Sequence, residues 1–138
     1  MLFSARQAAT VHSGTTANSV TINSGGSLLV YNRGLASSCT ADNEGLMLIY
    51  NGGLARDTMI SSSGYVDVAE GGVVSDTFIS DDGKLVLKGS ANNTSAGSSG
   101  YVYVGLSGSA DTVEILPGGH LQVSAGGTLT SASVQSNG

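Results

Sequence analysis

Tryptophan is absent, proline and cysteine occur once each, and five Lys and Arg face ten Asp and Glu, for a net charge of −5. Each scarcity excludes something. Cys39 has no partner for a disulfide, so no covalent staple supports the fold. Five cations cannot build a phosphate-tracking surface, which argues against nucleic acid and against an anionic membrane face. The two histidines, His12 and His120, stand far apart, and no Ser-His-Asp or Cys-His set can be assembled around them. No run approaches the ~18 apolar residues of a membrane-spanning helix, and no signal peptide is present. Any export signal or anchor is therefore expected outside this chain. Helix itself is disfavoured, because Gly supplies 21 of 138 residues and apolar residues do not recur at three-and-four spacing.

The abundant residue is informative. Gly26, Gly45, Gly64, Gly83, Gly100, Gly119 and Gly138 recur at intervals of 19, 19, 19, 17, 19 and 19. A second series, Gly34, Gly53, Gly72, Gly89, Gly108 and Gly127, slips by two residues at the same place. One two-residue deletion in a turn explains both slips, and a shared period marks a stacked repeat. Two residues after each first-series glycine stand Leu28, Met47, Val66, Leu85, Val102 and Leu121. Four before it stand Ile22, Ala41, Ile60, Ile79, Ala96, Ile115 and Val134. Residues two apart share one face of a strand, so each unit holds two short strands with a common apolar face. A small residue nine before the glycine (Ala17, Ala36, Ala55) has odd spacing from the next inward position, which requires a bend and a short third side. The glycines are expected where sharp turns benefit from positive φ.

The sequence therefore predicts an all-β chain: a right-handed parallel β-helix of about seven coils with a 19-residue repeat. The coils are 15–33, 34–52, 53–71, 72–88, 89–107 and 108–126, with a partial coil at 127–138. Residues 1–14 form an N-terminal partial coil, in which Ala9 and Val11 fit a strand and Met1–Arg6 matches no column. A solenoid that starts and stops in mid-coil is expected to be a piece of a longer one, with open ends that dock on ends.

Candidate sites follow from the register. Asp57 and Asp76 occupy equivalent positions in adjacent units, about 5 Å apart by strand spacing. Such a pair could serve a glycosidase or hold Ca²⁺, but a polar ladder with Asn93 as its next rung is the plainer reading. Thr58, Thr77 and Thr94 fall in an inward column, where their hydroxyls are expected to bond to one another or to carbonyls. Cys39 falls inward as a small apolar residue. On the outward face of the second strand, Leu29, Tyr31, Leu48 and Tyr50 form a candidate apolar contact surface. Tyr65, Tyr101 and Tyr103 extend it, so that all five tyrosines share this face. Ordinary stacking between like neighbours would favour the same residues. No cofactor, metal or small-molecule substrate is indicated.

The segments GGLARDTMISSSGYVDVAEGG (Gly52–Gly72) and SGSADTVEILPGGHLQVSAGG (Ser107–Gly127) resemble the repeats of AIDA-type autotransporter passengers. The shared pattern is a Gly-Gly turn, a small residue, a Thr/Val-x-Ile strand, a Gly turn and an apolar-x-Val strand, over residues 15–138. The resemblance implies a bacterial surface passenger, extracellular and anchored in the outer membrane through a barrel not in this chain. It implies adhesion, self-association or biofilm formation, with another cell or a host surface as partner. It also makes serines of the turn before the glycine candidate acceptors for a heptosyltransferase: Ser24, Ser61, Ser62, Ser63, Ser80, Ser98 and Ser99. Serine is equally a common turn former. The expected function is a non-enzymatic adhesive stalk. The alternatives are a polysaccharide-active β-helix enzyme using Asp57 and Asp76, or a phage or fibre solenoid.

Overall fold

Alternating inward apolar and outward polar residues make short strands, and none of these strands can bury its apolar face alone. The computed structural model, which describes residues 7–138 and the backbone of Leu2–Phe3, resolves this by coiling the chain. Ala8–Val11, Ser27–Val30, Leu46–Ile49, Tyr65–Val68, Lys84–Leu87, Tyr101–Val104 and His120–Val123 form a seven-stranded, wholly parallel sheet. A second parallel sheet is built from Leu54–Ile60, Val73–Ile79, Ser90–Ala96 and Ser109–Ile115. Earlier and later coils supply its strands in two pieces, as in Leu35–Ser37 and Thr40–Ala41. Every pairing joins equivalent positions of successive coils, for example Val66 with Met47 and with Leu85. The result is a β-solenoid with a hydrophobic axis.

The expected bend lies at Ser19, Ser38, Asp57, Asp76, Asn93 and Thr112, each with φ between 50° and 56°. This left-handed residue folds the second sheet along a line and creates the third side. Ser, Asp and Asn suit it because a short polar side chain eases the left-handed conformation.

The axis is filled as the columns require. Ile22, Leu28, Met47, Ile60, Val66, Ile79, Leu85 and Val102 are completely buried. Cys39 is buried too; its thiol donates to the Ser37 carbonyl at 3.4 Å, and burial pushes its pKa up. The columns fail at one end. Leu121 is only half-buried and Val134 is 63% exposed, because the coils that hold them have packing from one side only. Leu2–Phe3 pairs with Thr21–Ile22 and so carries the ladder one coil further than the sequence columns reached; Met1 and residues 4–6 lie outside the described residues.

Two expectations change. The first-series glycines are not the residues with positive φ; that conformation falls on the pairs before them, Ser62–Ser63 and Asp81–Asp82 among others. Glycine is needed for closeness instead. A Cβ on Gly83 would come within 2.6 Å of the Ile60 carbonyl oxygen, and one on Gly64 would overlap that of Ala41. The threonine column is likewise not a hydroxyl ladder. Thr58, Thr77 and Thr94 are buried, and none of their Oγ1 atoms has a hydrogen-bond partner.

Two stability effects follow. Ile60→Asp places an unpaired charge in the axis and should cost on the order of 4 kcal/mol, read as loss of the cooperative thermal transition. Thr77→Val removes an unsatisfied hydroxyl at nearly constant volume and should stabilise by about 1 kcal/mol in a urea titration. A loss of stability in the valine variant would mean that the hydroxyl is bonded after all.

Candidate functional site

The outward residues of the seven-stranded sheet stack in columns because coils repeat in register. Leu29 lies beside Leu48, and both are half-buried. Tyr31 stacks on Tyr50 with ring centroids 4.8 Å apart and planes within 8°. His12 stacks on the other face of Tyr31 at 4.9 Å, a third ring that the sequence columns place there but that does not stand out as aromatic. The structure thus brings Leu29, Tyr31, Leu48 and Tyr50 together as one cluster, with much of the ring area used in stacking.

Tyr65 and Tyr101 lie on either side of Lys84, one coil apart in each direction. With Ser63, Asp82, Ser99 and His120 they line an open groove of about 550 Å³. Tyr101 donates its phenol proton to Gln122 Oε1, and its ring leans on His120 at 6.3 Å. The Tyr65 phenol is pushed up from its ordinary pKa by burial first and by the Asp67 carboxylate second. Tyr103 stands one position over, between Val86 and Gln122, and belongs to neither cluster.

The serine turns adjoin this groove. Ser62 and Ser63 both have positive φ, and the Gly64 amide closes the turn on the Ser61 carbonyl at 2.7 Å. Ser98 and Ser99 repeat the arrangement. Ser24, Ser62, Ser63, Ser98 and Ser99 are exposed, whereas Ser61 and Ser80 are half-buried. The hydroxyl of Ser61 donates to Asp42 Oδ1 at 3.1 Å, and that of Ser80 donates to Asp81 Oδ2 at 3.2 Å. Five of the seven candidate acceptors therefore present their turn to solvent.

Asp57 and Asp76 are exposed at the bend. Asp76 Oδ1 accepts from Asn93 Nδ2 at 2.6 Å, so these two corner residues form one rung, bonded side chain to side chain. Among the described residues, no three His, Cys, Asp or Glu side chains converge as metal ligands would.

Three features lie outside the candidate sites read from the sequence. Met59 and Phe78 lie side by side on the outer face of the second sheet, 47% and 40% exposed. Leu106 projects from a corner at 72% exposure. Beside it lies a notch of about 360 Å³, lined by Glu70, Lys88, Tyr103, Gly105, Leu106 and Ser107. The signal for the notch was present in the 17-residue interval, which marks where a turn is shortened but not what the shortening exposes.

No family model matches the chain, and no curated protein matches it in sequence. Among solved structures, it is similar to the crystal structure of a TibC-catalysed, hyper-glycosylated TibA fragment, with a TM-score of 0.69 and 26% identity. The alignment covers 99% of this chain and 61% of the fragment, so the chain spans less than two thirds of the protein it is similar to.

Proposed function

We propose that the chain is a stalk segment of a bacterial surface adhesin passenger of the AIDA type, carried outside the cell and anchored through a domain beyond this chain. The observation that carries the reading is the alignment of 99% of the chain with a hyper-glycosylated solenoid at 26% identity. The repeated, solvent-facing serine turns give it a chemical basis. A glycosyltransferase needs hydroxyls that are exposed, regularly spaced and free of competing bonds. The Ser62–Ser63 and Ser98–Ser99 turns meet all three needs, and the acceptor chemistry proposed for them is heptosylation.

In this reading the chain is not an enzyme. Asp57 and Asp76 are exposed corner residues, Asp76 bonded to Asn93, and the fold acts by presenting a stiff, repetitive surface. Its partner is a second copy or a host surface. The half-buried cluster of Leu29, Tyr31, Leu48 and Tyr50 supplies the apolar part of that contact, because stacked aromatics keep a flat face at little entropic cost.

Co-production with a bacterial autotransporter heptosyltransferase should add heptose to peptides containing Ser62–Ser63 and Ser98–Ser99, read by mass spectrometry. The Ser61 and Ser80 hydroxyls should be modified least. An unmodified chain beside a modified positive control would sink the acceptor assignment. For contact, a Leu48→Lys, Tyr50→Lys double variant displayed on cells should lose aggregation while keeping its β-sheet spectrum. Aggregation at the parental level would remove that cluster from the interface, and turnover of any acidic polysaccharide by the purified chain would overturn the non-enzymatic reading.

A further inference from the structure

The exposed serine turns differ in what lies beside them. Ser-Gly-Tyr occurs twice on this face, as Ser63–Gly64–Tyr65 and Ser99–Gly100–Tyr101. In both, the central glycine is buried against the preceding coil, where a Cβ on Gly64 would overlap the Ala41 carbonyl and one on Gly100 the Ile79 carbonyl. Each motif thus holds an exposed serine and a half-buried tyrosine at most about 7 Å apart at Cα. Serine and tyrosine of both motifs line the same groove of about 550 Å³. Ser62 and Ser98 lie outside that lining, and the coil of Ser24 has Ser27 where the tyrosine would stand.

Between the two motifs runs one coil with a different pair, Asp82 and Lys84. Lys84 is in register with Tyr65 on one side and with Tyr101 on the other. Ser63 and Ser99 are therefore two coils apart, roughly 10 Å, so bulky groups attached to both have room that adjacent coils would deny them. Asp82 holds the intermediate place and has no hydroxyl to modify. Asp82 and Lys84 are both exposed, and among the described residues neither makes an ion pair. The Tyr101 ring is fixed by its bond to Gln122 and by His120 leaning on it.

We infer that this groove is the seat of two sugars carried by Ser63 and Ser99, with Tyr65 and Tyr101 as their platforms. The inference rests on the acceptor reading of these serines and states where the attached sugar goes. In the transfer, the serine Oγ bonds to the anomeric carbon of a nucleoside-diphosphate heptose. The bond from that carbon to the diphosphate breaks, and the hydroxyl proton leaves with the diphosphate. Each attached sugar then turns the C–H face of its ring to the tyrosine of its own coil. From the coil between, the Lys84 ammonium donates to sugar hydroxyls and the Asp82 carboxylate accepts from them. An open groove of this kind holds a free sugar weakly. A tethered sugar loses no translational freedom on docking, so the same few contacts suffice.

The test uses the whole chain co-produced with the heptosyltransferase, with occupancy of each serine read by mass spectrometry and the sugars by NMR. Ring protons of Tyr65 and Tyr101 should show NOEs to sugar C–H protons, and those protons should lie upfield of their positions in a free methyl heptoside. Modification should also raise the unfolding midpoint by about 3 °C. A Tyr65→Ala, Tyr101→Ala double variant should lose the upfield shift and the gain in midpoint. Phe at both positions keeps the ring faces and should keep both effects. Sugar signals at Ser63 and Ser99 that match the free heptoside overturn the seat and leave the acceptor reading standing, as do upfield shifts that persist in the alanine variant. Absence of sugar from both serines overturns the two together. Where the alanine variant does not fold, the NOEs of the parent and of the phenylalanine variant decide.

Discussion

Everything in this molecule depends on the backbone hydrogen bonds that run from each coil to the next along the axis. They hold successive strands about 4.8 Å apart with no allowance for an intruding Cβ. This is why the first-series glycines are needed. Gly64 and Gly83 pass against the carbonyls of Ala41 and Ile60 in the preceding coil, where any side chain would push the coils apart. The same bonds allow a chain with little charge, one cysteine and few aromatics to build a stable axis. Burial of Ile, Leu and Val supplies the driving force, and the ladder supplies the register that keeps like residues above like.

The corners follow from that spacing. Strands held flat must be joined by turns that fit within one coil's height, and several of these turns require left-handed residues. Ser62, Ser63, Asp81, Asp82, Ser98 and Ser99 take that conformation without being glycine. Each costs on the order of 1 kcal/mol, which the stacked turn-to-turn backbone bonds offset. The polar, exposed corners that result are also where a modifying enzyme would find its hydroxyls. Structure and proposed chemistry thus share one cause, the need for small polar residues at the edges of a narrow coil.

In a repetitive solenoid, distinct chemistry can arise only where the repeat is broken or decorated. The decorations are the stacked His12, Tyr31 and Tyr50 rings, the Tyr65–Lys84–Tyr101 groove and the exposed Met59–Phe78 pair. The break is the shortened corner at Lys88–Gly89. There Lys88 runs directly into Gly89, whose amide bonds to the Val68 carbonyl at 3.0 Å.

The sequence by itself determined the period, the inward columns and the position of the shortened coil, because a parallel stack converts spacing directly into location. Ile60, Val66 and Leu85 could be placed on the axis by counting. The Asp57 position could be read as a bend from odd spacing alone. Counting says nothing about approach distances or bonding partners, and these only the tertiary structure decided. The unbonded Thr58, Thr77 and Thr94 hydroxyls, the incomplete burial of Leu121 and Val134, and the reason for glycine at Gly64 all depend on how closely one coil meets the next. So does the notch: the two-residue slip was legible, but its lining comes from coils that meet only when the chain is wound, Glu70 from one, Lys88 from the next and Tyr103, Leu106 and Ser107 from the one after.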